Sequence, residues 1–158
     1  MTYILTADGG SRGNPGPSAY GFATWQTPNQ TLDKNQILDI IAHTAPIFKT
    51  GKYVGHTTNN QVEWGGLIAG LEHLAKAATD QSDLKNIYVA LDSELVVKQI
   101  TGVYKVKNPG LQILFTQAKL VLEIFKAKKI AVEFMHIYRE FNQVADAEVN
   151  QVLDNLLH

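Results

Sequence analysis

The chain has 158 residues, of which 45% are hydrophobic and none is cysteine. This length fits one domain with a sizeable core, and the lack of cysteine excludes disulfides, thiol catalysis and thiolate zinc sites. The formal net charge of −1 gives no general signal for a polyanionic partner, yet seven of the 14 Lys and Arg residues lie between Lys98 and Lys129, against one acid. Such a stripe can attract phosphates, although a solvated helix face is the simpler interpretation.

The N-terminus lacks the basic and apolar regions of a signal peptide. No apolar run reaches the roughly 20 residues that cross a bilayer. Together with the absence of cysteine, these features predict a soluble cytoplasmic protein without a membrane partner. We expect residues 1–158 to form a single domain that acts as a monomer.

The first half of the chain reads as strands and loops. Three short apolar segments rich in β-formers predict strands, namely Tyr3 to Ala7, Ala19 to Trp25 and Ile37 to Ala42. The glycines and prolines between Gly9 and Pro17 predict a loop. The stretch between the third predicted strand and residue 56 is ambiguous, and Gly51 and Gly55 within it are typical of turns.

The second half alternates helices with strands. Apolar residues at three- and four-residue spacing predict a helix that begins near Asn60, namely Trp64, Leu67, Ile68, Leu71 and Leu74. Further helices are predicted over Leu95 to Ile100, Asn108 to Phe125 and from Asn142 onward, and further strands over Ile87 to Leu91 and Ile130 to His136. This order predicts an α/β fold with a mixed five-stranded sheet, first an antiparallel meander and then parallel strands, flanked by helices.

Two aspartates follow strands directly. Asp8 comes after the first strand and Asp92 after the fourth. If these strands are parallel neighbours, both side chains emerge at the carboxyl edge of the sheet, where ligands bind in open α/β sheets. The alternative is that each aspartate caps the turn or helix that follows it.

Two further acids, Glu63 and Asp146, fall near the starts of predicted helices. Helix N-termini favour negative charge, and Asn60 to Glu63 could form a capping box, so local structure alone could account for both. A cation site is the other explanation for acids at these positions. Carboxylates about 4 Å apart repel by roughly 4 kcal/mol per pair at an effective dielectric near 20. Such a cluster would bind hard cations such as Mg²⁺, and paired ions can stabilise both oxygens at a reacting phosphorus. Spacing leaves open whether the acids converge.

Four motifs resemble those of type I ribonucleases H, as found in the compact bacterial and archaeal branch. They are Asp8 to Pro17 followed by Tyr20-Gly21-Phe22, Thr58 to Glu63, Leu91 to Val96, and His136 to Asp146 with Arg139-Glu140-Phe141-Asn142 between. All four occur in the family's order and cover nearly the whole chain. The resemblance implies a ribonuclease H-like fold over residues 1–158.

The same resemblance implies an endoribonuclease that hydrolyses the RNA strand of RNA–DNA hybrids and leaves 3′-hydroxyl and 5′-phosphate ends. Its metal ligands would be Asp8, Glu63, Asp92 and Asp146, holding two Mg²⁺ ions for which Mn²⁺ can substitute. The family reads the minor groove of the hybrid and its 2′-hydroxyls. The matching substrate-binding positions are Gly10, Ser11, Gly13, Asn14, Thr58, Asn59 and Asn60.

Departures from the family pattern leave alternatives open. Many members carry a histidine on the loop before the last carboxylate, whereas here that loop holds Arg139 and His136 ends the preceding strand. We therefore expect Arg139 to be the assisting catalytic cation. The basic helix that clamps substrate in some members has no room between Gly102 and Asn108, which, with the weak net charge, motivates the alternative of a catalytically weak or inactive nucleic-acid-binding module. A transposase, integrase or exonuclease core would share the carboxylates but lack the Asp8 to Pro17 loop.

Overall fold

The computed structural model describes residues 1–28 and 31–156 and contains a five-stranded sheet in the order β3-β2-β1-β4-β5. The strands are β1 (Thr2–Ser11), β2 (Gly16–Thr27), β3 (Phe48–Thr57), β4 (Asn86–Leu91) and β5 (Ala131–His136). The helices are α1 (Lys34–His43), α2 (Asn59–Asp80), α3 (Glu94–Ile100), α4 (Pro109–Ala127) and α5 (Gln143–Asn155), with a 3-10 helix at Arg139–Phe141. Within the described ranges, no helix combines the length and apolar character needed to cross a membrane.

The sheet is mixed, as predicted. Strands β1, β2 and β3 form an antiparallel meander, while β4 runs parallel to β1 and β5 runs parallel to β4. The register pairs Ala7 of β1 with Leu91 of β4. Asp8 and Asp92, the next residues in each case, therefore lie side by side where the parallel pairing ends, although β1 continues to Ser11, beyond the predicted strand end at Ala7.

Helices cover both faces of the sheet, and each face buries its own apolar cluster. Trp64, Leu67 and Phe125 lie on the face covered by α2, α3 and α4, and all three are fully buried. Ile4 and Trp25 lie on the opposite face, where α1 packs against them. Helix α5 extends this second layer over β1, β2 and β3.

The predicted strand at Ile37 to Ala42 is wrong, because this segment forms the middle of α1. A capping box starts the helix: the Asp33 side chain accepts from the backbone N–H of Gln36 at 2.8 Å, and the Gln36 side chain accepts from the backbone N–H of Asp33 at 2.8 Å. A short apolar run fits a strand and a buried helix equally well. The Asp33-x-x-Gln36 pattern is the signal that distinguishes them.

The third strand of the meander is β3, which lies in the stretch that the sequence left ambiguous. Gly51 and Gly55, which are typical of turns, lie within this strand, and neither of them ends it. A Cβ on Gly51 would lie 2.7 Å from the carbonyl oxygen of Glu148 on α5, so only glycine admits the helix there. Gly55 has φ +86° at a bulge where the register against β2 shifts, a typical position for glycine in a strand.

Helix α2 and strand β1 approach each other so closely that their backbones touch through glycines. A Cβ on Gly9 would lie 2.5 Å from the backbone nitrogen of Glu63, and a Cβ on Gly66 would lie 2.8 Å from the carbonyl oxygen of Asp8. Side chains at either position would push the helix from the strand. The contact therefore holds Asp8 and Glu63 close together.

We expect Gly66→Ala to destabilise the fold by about 1–3 kcal/mol, the usual effect of overpacking, because its methyl group would press on the Asp8 carbonyl. Gly65→Ala is the matched control, since its Cβ would meet the Tyr20 ring at 3.5 Å, an ordinary contact. It should stabilise α2 by up to about 1 kcal/mol through helix propensity. Urea unfolding of both variants measures the difference, and equal effects would contradict the close backbone contact.

Candidate active site

A cavity of about 510 Å³ opens at the carboxyl edge of β1 and β4. All four predicted carboxylates line it, and each comes from a different element: Asp8 from β1, Glu63 from α2, Asp92 from the residue after β4, and Asp146 from α5. The structure thus brings together acids that are far apart in the chain.

Local capping does not explain these positions. Thr58 is the N-cap of α2, so Glu63 lies beyond the first turn and the capping box expected at Asn60 to Glu63 is wrong. Ser93 caps α3 through its hydroxyl oxygen, which leaves Asp92 without a capping role. Of the four acids, only Asp146 lies in the first turn of its helix, where the helix dipole favours it.

Burial and mutual repulsion make three of these carboxyls, those of Asp8, Glu63 and Asp92, hard to ionise. Burial, together with repulsion from Asp92 and a hydrogen bond with Asp146, raises the pKa of Asp8 from 3.8 to about 8. Burial raises the pKa of Glu63 to about 7, although a hydrogen bond from Ser93 opposes the rise. Burial also raises the pKa of Asp92. A cation in the cavity would relieve the repulsion and restore the ionised forms.

The four acids surround the cavity without closing into a cage. Among the residues that the structure describes, no group of three or more His, Asp or Glu side chains forms a ready-made metal site. The donors nevertheless suit a hard divalent cation, because all are carboxylate oxygens, the ligands that such cations prefer. An open arrangement also suits Mg²⁺, which keeps several waters and takes only one or two protein carboxylates.

Asn142, which the sequence indicated only as a helix start, connects three parts of the site. It is 1% exposed, and its amide nitrogen donates to the carbonyl oxygen of Ala7 at 2.9 Å. Burial raises the pKa of Asp92, and a hydrogen bond with Asn142 opposes that rise. Asn142 therefore ties the start of α5, and with it Asp146, to the ends of β1 and β4.

The turn between β1 and β2 is fastened to the start of α2. It is shorter than the predicted loop of Gly9 to Pro17, because both strands extend into that segment and leave residues 12–15. The Asn14 side chain accepts from the backbone N–H of Asn59 at 3.0 Å. The Asn59 side chain in turn accepts from the backbone N–H of Ser11 at 2.9 Å. These two bonds hold the turn beside the carboxylates.

The predicted substrate-binding residues divide between two cavities. Gly10, Ser11 and Asn59 line the four-carboxylate cavity. A second cavity of about 300 Å³ is lined by Asn14, Thr58, Asn60, Gln61, Asn108 and Leu111. Gly13 lines neither of these cavities and lies in the turn with φ +95°. Sequence reasoning missed Asn108 as a site residue, although the Asn-Pro pair that opens α4 marked its position.

Two arginines supply the positive charge of the four-carboxylate cavity. Arg139 lines it with its side chain 84% exposed, and its Nη2 lies 3.8 Å from Asp146 Oδ1. Arg12 also lines the cavity and was missed by sequence reasoning. His136 is not among the lining residues, and its ring packs edge-on against Tyr138 at 5.8 Å. None of the seven lysines of the basic stripe lines this cavity.

Comparison with known proteins places the chain in a family. A family model described as "Reverse transcriptase-like" matches residues 40–152. "Bifunctional protein Rv2228c" of Mycobacterium tuberculosis is 34% identical over 154 residues, which cover 98% of this chain and 36% of the relative. "Ribonuclease HI" of Halobacterium salinarum is 33% identical over 148 residues, which cover 94% of this chain and 62% of the relative. The chain thus spans about a third of the first relative and less than two thirds of the second.

A solved structure extends the likeness to nearly every residue. LC11-RNase H1, isolated from compost by a metagenomic approach and solved in complex with an RNA/DNA hybrid, has a TM-score of 0.77 and 34% sequence identity. The alignment covers 99% of each chain. Because the family model matches more than half of the chain and the ribonuclease H1 fold aligns along almost all of it, the chain belongs to the type I ribonuclease H family.

Proposed function

We propose that the chain is an endoribonuclease that hydrolyses the RNA strand of RNA–DNA hybrids and leaves 3′-hydroxyl and 5′-phosphate ends. The observation that carries this proposal is the cavity shared by four carboxylates from four different elements. Membership of the ribonuclease H family supports the reaction, and the LC11-RNase H1 complex supports the substrate class. The family generally uses divalent metal ions, and we propose two Mg²⁺ ions, with Mn²⁺ able to replace them.

The proposed metal ligands are Asp8, Glu63, Asp92 and Asp146. Asp8 is the central one, because, besides burial, the charges of both Asp92 and Asp146 raise its pKa. When bound, paired divalent ions supply an activated water and neutralise charge at the attacking and leaving oxygens of the phosphate. The chain's part is to lose the protons held by Asp8 and Glu63 on binding the ions, and to keep the carboxylates at fixed positions.

Substrate recognition is assigned to the polar groups around the two cavities. Ser11 and Asn59 beside the carboxylates offer donors and acceptors that a 2′-hydroxyl can satisfy, which is how a protein distinguishes RNA from DNA. Gly10 and Gly13 allow the nucleic acid to approach the backbone. Asn14, Thr58 and Asn60 in the second cavity are proposed to contact the hybrid next to the cleaved linkage.

Arg139 is proposed as the assisting catalytic cation. Its exposed guanidinium next to Asp146 can rotate toward a phosphate and stabilise the negative charge that develops there.

We also propose that residues 1–158 act as one domain and as a cytoplasmic monomer. Size-exclusion chromatography at several protein concentrations tests the monomer, and an elution volume that moves with concentration would contradict it.

We expect purified protein to cleave a labelled RNA–DNA hybrid in Mg²⁺ or Mn²⁺ and to stop in chelator. Asp8→Asn should lower the rate by at least about 100-fold, the usual effect of removing a preorganised charge at the reacting group. Asp83→Asn, an exposed acid that precedes β4 at the opposite edge of the sheet, is the matched control and should cleave normally.

Three results of this assay would contradict the proposal. An intact hybrid with the wild-type protein in both metals would remove the nuclease assignment. Binding of the hybrid that survives Asp92→Asn, without cleavage, would indicate a binding module. Preferential cutting of duplex DNA would indicate a core of the transposase, integrase or exonuclease type.

The raised pKa of Asp8 predicts a pH-dependent stability of the metal-free protein. Because its pKa is about 8 in the folded protein and about 3.8 otherwise, its contribution to folding is fully present below pH 3.8 and is lost as pH rises through 8. Asp8→Asn should therefore raise the melting temperature in chelator at pH 8, by about 2–4 °C for each kcal/mol regained. The gain should shrink toward pH 4.

Differential scanning calorimetry at pH 4 and pH 8 measures this effect. Adding Mg²⁺ at pH 8 should stabilise the wild-type protein with release of protons, and should stabilise Asp8→Asn less. A variant that melts at the wild-type temperature in chelator at pH 8 would show that burial and the neighbouring acids do not disfavour the ionised Asp8.

Arg139 and His136 can be separated by substitution. We expect Arg139→Ala to lower kcat by about 100-fold, in the range seen for the loss of one transition-state donor, and Arg139→Lys to restore part of it by keeping the charge. His136→Ala should leave kcat within about twofold, because His136 does not line the cavity. Steady-state rates at saturating hybrid provide the measurement, and the reverse ranking would transfer the catalytic role to His136.

A further inference from the structure

Arg12 lies in the Asp8 to Pro17 motif, but the resemblance assigns it no role. It connects the turn between β1 and β2 to α5, the last helix. Its Nη2 donates to Asp154 Oδ1 at 2.7 Å across 142 residues of sequence. Asp154 lies in the last turn of α5. The pair therefore links the turn after β1 to the C-terminal end of the helix that carries Asp146.

The position of Asp154 is not one that helix α5 itself favours. A negative charge near a helix C-terminus is opposed by the helix dipole, and no basic residue lies in the last turn of α5 to offset it. Arg12 supplies the compensating charge. The charge of Asp154 is therefore compensated from another part of the chain and not from its own helix.

The backbone of Arg12 is fixed while its guanidinium is accessible. Its backbone N–H donates to the carbonyl oxygen of Pro17 at 2.8 Å, and the preceding residue, Ser11, is bonded to Asn59. The side chains of Arg12 and Asp154 are 43% and 61% exposed. The guanidinium can therefore change partners without movement of the turn.

The four-carboxylate cavity repels a polyanion unless cations offset its charge. Among the residues that line it, Arg12 and Arg139 are the only cations, against four acids. Arg12 lies four residues beyond Asp8, so their backbones are roughly 13 Å apart at the rise of an extended strand, and its guanidinium is directed to Asp154 and away from the four carboxylates. A guanidinium binds phosphate in the same forked geometry that it uses for a carboxylate.

We propose that Arg12 binds a backbone phosphate of the nucleic acid away from the cleaved linkage, and that Asp154 is an internal competitor for it. Asp154 holds the guanidinium in the free protein, and an incoming phosphate displaces it. The identity of the polyanion rests on the proposed function. The pair thus sets how tightly the strand is held, and it leaves the chemical step unaltered.

Asp154→Asn, Arg12→Gln and the double variant test the proposal against wild type. Asp154→Asn should lower KM for the hybrid by about two- to fivefold at low salt, the scale of an exposed ion pair, with kcat unchanged. Arg12→Gln should raise KM, and the double variant should match Arg12→Gln because no guanidinium remains to be released. The differences should shrink as salt is added. Asp83→Asn controls for the loss of one negative charge.

The sign of the Asp154→Asn effect decides the outcome. If the pair only braces the turn, Asp154→Asn and Arg12→Gln will both raise KM, and the proposal is overturned. An Arg12→Gln variant with wild-type KM also overturns it. Fluorescence anisotropy of hybrid binding in the Asp8→Asn background reports the same order of affinities without cleavage. Failure of every variant to cleave would thus count against the nuclease function, while the affinities still decide the role of Arg12.

Discussion

The contact of α2 with β1 is the constraint on which the site depends. Gly9 and Gly66 let two backbones meet without side chains between them, and Asp8 and Glu63 are attached directly to that contact. Asn142 extends the same construction, because its amide bonds to the carbonyl of Ala7 and brings the start of α5 to the strand end. The acids are thus positioned by contacts made to the backbone of β1.

This arrangement places an electrostatic cost on the folded protein that the two apolar layers must offset. Trp64 and Phe125 on one face, and Ile4 and Trp25 on the other, are almost completely buried, and burial of each such side chain contributes on the order of 1.5–3 kcal/mol. The raised pKa values of Asp8 and Glu63 show where the cost falls. A cation bound at the proposed site would relieve this cost, because its charge would offset the repulsion between the carboxylates.

The parts of the molecule that the sequence predicted are those set by local pattern. Asp8 and Asp92 could be placed because each follows an apolar strand, and parallel pairing of those strands puts both at one edge. Segment Ile37 to Ala42 could not be assigned by its apolar residues, since these fit a strand or a helix, and the deciding signal lay in the capping box of α1.

Other features depend on contacts between distant parts of the chain, and no local pattern encodes them. Asn142 is hydrogen-bonded to Ala7, 135 positions away in the sequence. Arg12 is paired with Asp154, 142 positions away. Gly51 looked like a turn because its requirement for no side chain comes from α5, which passes over it. Family resemblance supplied the four carboxylates, but the groups that orient them emerge only from the three-dimensional structure.

The distribution of positive charge separates long-range attraction from contact. The lysines of the stripe lie outside the four-carboxylate cavity, and one of them, Lys98, is held by Glu94 at 2.7 Å. Lysines outside the cavity can act on a polyanion only through their electric field, which salt screens within about 10 Å. The cations at the cavity are both arginines, each beside an aspartate. Because a guanidinium exchanges a carboxylate for a phosphate with little change in geometry, the proposed exchange would let a chain with net charge −1 bind a polyanion beside four acids.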